Sequence, residues 1–134
     1  MKSVFFILIL FITSCSSISQ KNMPNYLVGI WASEDVEFRG QFLVKGVAIY
    51  LTESGTGAML AGPPAIGRRI ETNYDPVSKI IFYKELDLHD KVVREDSIKY
   101  VDESNVFILN SVNNLVLTRK FDVISRKTKR LLKI

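Results

Sequence analysis

Residues 27–31 read Leu-Val-Gly-Ile-Trp, a short run with the composition of a β-strand. Aliphatic, β-branched and aromatic residues of this kind are enriched in strands. Successive side chains of a strand point to opposite faces, so Leu27, Gly29 and Trp31 would share one face. The run therefore predicts a first strand that turns Trp31 towards a core.

Similar runs follow along the chain about every 8–12 residues, and Gly, Pro, Asn or Asp stands between them. Many short strands with tight links predict an all-β fold, either a sandwich or a small antiparallel up-and-down barrel of about eight strands. We favour the barrel, because closure leaves no unpaired edge. The predicted strands span 27–31, 38–44, 47–52, 58–60, 68–74, 80–88, 96–101, 106–110 and 115–120, with a turn near Gly46 between the second and the third.

Gly29, Trp31 and Arg119 together resemble the signature of the lipocalins and the wider calycin group. That group carries G-x-W on its first strand and a late Arg or Lys that packs over the Trp. Since a closed meander brings its first and last strands together, Arg119 would stack on Trp31, a contact that contributes about 0.5–2 kcal/mol. The resemblance implies a compact lipocalin-like barrel over 26–121, of the kind found in bacterial lipoproteins.

The chain begins with MKSVFFILILFITSC, which has the layout of a bacterial lipoprotein signal. Lys2 supplies a positive start, and residues 4–12 are nine consecutive apolar residues. Ile12-Thr13-Ser14-Cys15 then resembles the lipobox, and in that family the cysteine carries a diacylglycerol. Cys15 is the only cysteine in the chain.

We therefore expect a signal peptide over 1–14 and a lipidated tether over 15–25. The alternative is an ordinary secretory signal cut within 16–19, which would leave Cys15 discarded or free. The family resemblance places the protein in the cell envelope, lipid-anchored to the outer membrane and facing the periplasm. The membrane is thus the first expected partner.

Positive charge is concentrated at the C-terminal end. From residue 15 onward there are 17 Lys and Arg against 14 Asp and Glu, and the last ten residues hold five of those cations and no acid. The rest of the domain is slightly acidic, which argues against nucleic-acid binding. Apolar residues at helical spacing predict a short basic helix within 122–134 that packs on the barrel, while its cations face solvent or anionic headgroups. The predicted apolar stripe comprises Phe121, Ile124, Thr128, Leu131 and Leu132.

Two non-catalytic functions fit this prediction. In the first, the barrel is a binding module for a small apolar or amphipathic ligand, and Val47, Ile49 and Leu51 line the pocket. In the second, the outer surface binds an envelope protein, as an inhibitor, an immunity protein or an assembly accessory would. The stiff apolar loop with Pro63, Pro64 and Ile66 would then be the partner site.

Catalytic, metal and cofactor sites are not predicted. His89 is the only histidine, and no nucleophile motif accompanies it. Glu85, Asp87 and His89 alternate along a predicted strand, so they could share a face and ligate a metal. Leu86 and Leu88 lie on the other face, which favours a solvated outer surface for the three polar side chains.

Overall fold

The computed structural model describes residues 23–134. The predicted signal over 1–14 and the predicted lipid-bearing Cys15 lie outside the described residues. The elements are β1 (Gly29–Ala32), β2 (Glu37–Arg39), β3 (Phe42–Leu51), β4 (Thr56–Gly62), β5 (Ile66–Asp75), β6 (Ile80–Leu86), β7 (Val92–Val101), β8 (Val106–Leu109), β9 (Leu115–Phe121) and α1 (Arg126–Leu132).

Eight of the strands close into an antiparallel barrel. β1 pairs with β3 on one side and with β9 on the other, and from β3 to β9 each strand pairs with the next along the chain. The extra strand, β2, pairs with the first residues of β3. The predicted all-β up-and-down barrel with a short C-terminal helix is therefore confirmed.

The inside of the barrel is an apolar core contributed by nearly every strand. Trp31, Tyr83, Tyr100 and Phe107 are its largest side chains, and aliphatic residues pack around them. Because protein interiors pack about as densely as organic crystals, these side chains occupy the interior themselves. The buried members are Met23, Leu27, Val28, Trp31, Ile49, Leu51, Ile70, Ile81, Tyr83, Ile98, Tyr100, Phe107, Leu109 and Leu117.

A second apolar cluster lies outside the barrel, where the β2–β3 hairpin and α1 cover its wall. Gln41, at the tip of the hairpin, connects the two: its amide nitrogen donates to the Val123 carbonyl at 2.9 Å. Its amide oxygen accepts from the Ser125 N–H at 2.8 Å and from the Thr128 hydroxyl at 3.1 Å. The cluster contains Ile30, Ala32, Leu43, Ala48, Tyr50, Ala58, Leu60 and Ile124, with Val36, Phe38, Phe121, Leu132 and Ile134 packed against it.

The turn expected near Gly46 is absent, because β3 runs without a break from Phe42 to Leu51. Gly46 instead marks the point where β3 changes partners, from β2 before it to β1 after it. Its φ of +97° is in the region that favours glycine, and an added Cβ would lie 2.9 Å from Val36 Cα. The glycine therefore lets the hairpin continue directly from the barrel.

The C-terminal helix is shorter than the expected segment. It begins at Arg126, because the Ser125 hydroxyl caps it by accepting from the Thr128 N–H at 3.2 Å. Thr128 and Ile124 are buried against the barrel as expected, but Leu131 is exposed. The predicted stripe is thus wrong at Leu131.

Candidate functional site

The lipocalin-like residue pair forms at one end of the barrel. Trp31 is fully buried and stacks on Phe107, with ring centroids 3.9 Å apart and planes inclined by 20°. The Arg119 guanidinium carbon lies 4.8 Å from the centre of the indole, and the two residues are directly paired across β1 and β9. The indole N–H donates to the Leu27 carbonyl at 3.0 Å.

This end of the barrel is closed by the segment that precedes β1. Met23 and Leu27 are buried in the interior core, and the Met23 N–H donates to the Glu53 carbonyl at 2.9 Å. Arg119 also donates to the Tyr26 carbonyl, although its buried Nε has no partner among the described residues. Trp31 and Arg119 therefore connect the two strands that close the barrel to the segment that covers its end.

The predicted pocket residues do face the barrel interior, and two of the three have no exposed surface. Ile49 and Leu51 are fully buried within the interior core. Val47, nearer the other end, is half-buried and packs against the same cluster. A ligand inside the barrel would have to displace these side chains.

Arg94 and Asp96 form an ion pair towards the end of the barrel that is away from Trp31. Arg94 donates to Asp96 at 2.9 Å, and Asp96 pairs with Tyr83, whose side chain belongs to the interior core. Burial raises the pKa of Asp96, but hydrogen bonds from the Ser97 N–H and from Arg94 outweigh it and bring the pKa below its usual value. Burial, reinforced by the nearby Asp96 charge, raises the pKa of Tyr83. At neutral pH this end of the barrel thus carries a charged pair beside a neutral tyrosine.

An apolar groove of about 800 Å³ lies on the outer wall of the barrel. We call it the outer groove. Leu60 and Leu86 are nearly buried and form its floor, and the end of α1 and two turns form its sides. Its lining comprises Ala58, Leu60, Ala65, Ile66, Gly67, Arg68, Arg69, Leu86, Asp87, Leu88, His89, Leu131, Leu132 and Lys133.

Two of the charged side chains in the outer groove, Arg69 and Asp87, are held by local contacts. Arg69 forms an ion pair with Asp90 in the β6–β7 turn. The Asp87 carboxylate accepts the N–H groups of His89 at 2.8 Å and Lys91 at 2.9 Å. Arg68 and Lys133 are exposed at the groove.

The predicted partner loop lies at the edge of this groove. Pro63 and Pro64 are exposed, and Ile66 is both exposed and part of the lining. Leu131, which the sequence assigned to packing, lies on the opposite side. The sequence singled out the loop and the helix separately, but no local pattern indicated that they meet across β4 and β5.

A smaller depression of about 460 Å³ lies along β5, β6 and β7. Glu71, Lys84 and Glu95 are neighbours across these strands, and Lys84 lies 3.8 Å from Glu95. Phe82 is the exposed apolar residue of the lining. Its mostly polar lining makes it a weaker ligand site than the outer groove.

The alternating Glu85, Asp87 and His89 do not share a strand face. β6 ends at Leu86, and Asp87 instead organises the turn through the hydrogen bonds given above. Within residues 23–134, no group of three or more His, Cys, Asp or Glu side chains is placed to hold a metal ion.

In that same part of the chain, none of the helices has the length and apolar character needed to cross a membrane.

No family model, curated protein or solved structure matches this chain. The class defined by the fold and the site is therefore a small closed antiparallel barrel with a filled interior and an apolar groove on its outer wall. The lipocalin resemblance rests on the barrel and on the contact between Trp31 and Arg119.

Proposed function

We propose that this protein is a lipid-anchored, non-catalytic binding module of the bacterial cell envelope, and that the outer groove holds a small amphipathic ligand. The observation that carries the proposal is the contrast between two apolar regions. The outer groove is open and has a volume of about 800 Å³, whereas Ile49 and Leu51 inside the barrel are fully buried. Small-molecule sites commonly have volumes of about 300–1,000 Å³.

The lining of the groove favours a ligand with a hydrocarbon chain and an anionic head. Leu60 and Leu86 offer an apolar floor, and each CH₂ group buried there would contribute about 0.8 kcal/mol. Lys133 is exposed in the groove lining and can attract a carboxylate or phosphate. A fatty acid or a lysophospholipid has this chemistry.

The test is a titration of the purified full chain with 11-(dansylamino)undecanoic acid, a fluorescent fatty acid. Ile66→Glu places a carboxylate at an exposed position of the groove, and Leu60→Trp fills the floor. Both should weaken binding at least tenfold, because one repels the head and the other removes the space for the chain. Circular dichroism and thermal unfolding establish that the variants are folded.

The matched control is Val47→Trp, which enlarges a side chain at the barrel interior instead. It should leave binding unchanged. Loss of binding with Val47→Trp but not with the groove variants would place the ligand inside the barrel. No binding of the fatty acid to the wild-type chain would overturn the proposed ligand class.

A protein partner is the second candidate, and one observation favours it. The exposed Pro63, Pro64 and Ile66 form a stiff apolar edge beside the groove, where a partner could dock without any change in the barrel. An envelope protein recovered with the wild-type chain should then be lost with Ile66→Glu. It should be retained with Val116→Glu, which charges an exposed position on β9 outside the groove lining.

A further inference from the structure

We infer that the outer groove opens onto an anionic lipid bilayer, with the barrel lying side-on against the membrane. This inference rests on the proposed function of the same groove, because it names the surface from which the groove would take an amphipathic ligand. Two independent features of the described residues carry it: exposed apolar side chains around the groove, and unpaired cations beside them.

Three large apolar side chains around the groove are exposed to solvent. Leu88 is 97% exposed, Ile66 65% and Leu131 58%. They come from the β6–β7 turn, the start of β5 and α1, and all three line the outer groove. Exposed apolar patches bordered by polar residues mark protein or membrane interaction sites.

Exposed Lys and Arg side chains accompany these apolar residues on α1 and in the groove lining. Lys127 precedes Leu131 on α1 by four residues, so the two side chains are neighbours on one helix face, and Arg130 is exposed on the same helix. Lys133 and Arg68 are exposed in the groove lining. In contrast, Lys129 is held by Glu53 at 2.9 Å and Arg69 by Asp90, so these two cations are already paired.

Charge complementarity decides between the possible occupants of this face. Residues 123–134 contain five Lys and Arg and no Asp or Glu, and Asp87 is the one acid of the groove lining, so a second copy of the chain would bring mostly like charges together. An anionic bilayer accepts apolar side chains below its headgroups and basic side chains at them. Each Lys or Arg near such a surface contributes, so the helix and groove cations act together.

The reach of the proposed anchor is compatible with this orientation. Cys15 precedes Met23 by eight residues, which span at most about 27 Å when fully extended. A lipid on Cys15 would therefore keep the barrel within that distance of the membrane. The groove lies on the wall of the barrel rather than at its closed end, so contact requires the side-on position.

The experiment uses the full chain with Cys15→Ser, so that one introduced cysteine is the only thiol. An environment-sensitive fluorophore is attached at Leu88→Cys or at Leu131→Cys, and at Val77→Cys as the control. Val77 is 90% exposed and lies in the β5–β6 turn, away from the groove. The chain is bound to vesicles of phosphatidylglycerol and phosphatidylcholine, with and without bromine on the acyl chains.

We expect a blue shift and strong quenching by the brominated lipid at Leu88→Cys and Leu131→Cys, and neither at Val77→Cys. Lys127→Gln with Arg130→Gln should reduce the quenching severalfold. The control is Lys99→Gln with Lys120→Gln, which removes exposed cations from β7 and β9 and should leave the quenching unchanged. Because the signal is local, it does not depend on how the rest of the chain binds the vesicle.

The inference is overturned if the labels at Leu88 and Leu131 stay in water on anionic vesicles, or if the Val77 label is quenched as strongly. If the labels become shielded from water as the protein concentration rises, without any vesicles, the occupant of the groove face is a second copy of the chain and not a bilayer. The fatty-acid titration is done without vesicles, and Leu60→Trp should not change the quenching. Failure of the docking and failure of the proposed function are therefore distinguishable.

Discussion

The side chain of Trp31 joins three parts of the barrel. Its indole stacks on Phe107 of β8, lies beneath the Arg119 guanidinium of β9, and donates to the Leu27 carbonyl before β1. One residue thus connects the closing strands to the segment that covers the end of the barrel.

Trp31→Ala should lower the free energy of unfolding by about 3–5 kcal/mol, because it leaves a large cavity in a packed core. Trp31→Phe is the control, since it keeps most of the apolar volume and should cost less. Urea unfolding followed by circular dichroism measures both. A neutral Trp31→Ala would show that the indole is not part of the core, and the lipocalin resemblance would lose its main support.

Residues of the two strands gave enough information to predict this contact. The alternation around Trp31 indicates its inward face, and closure of a meander brings β9 beside β1. The register that places Arg119 opposite Trp31 follows from neither fact, and it is expected from the lipocalin resemblance. That the Nε of Arg119 has no hydrogen-bond partner within residues 23–134 could not have been predicted, because it depends on the exact position of the guanidinium.

Among the elements, the β2–β3 hairpin differs most from the prediction. The sequence predicts a turn near Gly46 because glycine commonly ends strands, whereas the residue lies inside β3 with φ +97°. A glycine with positive φ is used both in turns and at irregular positions inside strands, and the sequence carries no signal that separates the two cases.

A hydrogen bond from Tyr50 also holds the β2–β3 hairpin. The hydroxyl of Tyr50 donates to the Gln41 carbonyl, and burial raises the pKa of Tyr50 to about 12, so it remains a donor at neutral pH.

Gly46→Ala should destabilise the protein by about 1–3 kcal/mol, because the backbone is strained for any other residue and the new Cβ would crowd Val36. Thermal unfolding measures this destabilisation as a lower melting temperature of the variant. Gly40→Ala is the matched control: its φ is +61°, but an added Cβ would meet nothing within 4 Å. An equal loss in both variants would mean that only the φ angle matters at Gly46.

At the scale of the whole molecule, the barrel was predictable and the outer groove was not. Short strands separated by turn residues are a local sequence pattern, and a series of them with tight turns predicts an up-and-down barrel. The groove instead joins residues near 60, near 87 and near 131, which are distant in sequence. Its existence depends on where α1 lies, and helical spacing alone assigned Leu131 to the packed side.

The proposed lipidation at Cys15 would determine where the whole molecule works. We expect the protein purified from its own cells to lack residues 1–14 and to carry a diacylglycerol on Cys15, as intact mass spectrometry would detect. Cys15→Ser should remove the lipid mass and release the protein from the membrane fraction. A wild-type chain that begins within residues 16–19 and has no lipid would establish the ordinary secretory signal instead.

The position of the outer groove also has a kinetic consequence. A molecule held inside a closed barrel leaves only when strands or covering segments separate, which can be slow. A molecule on the outer wall enters and leaves without breaking any pairing between strands. Its residence time is then set by the apolar area that it buries, and it can exchange while the barrel stays fully folded. Such a site suits brief hand-over between a membrane and another acceptor rather than long-term storage.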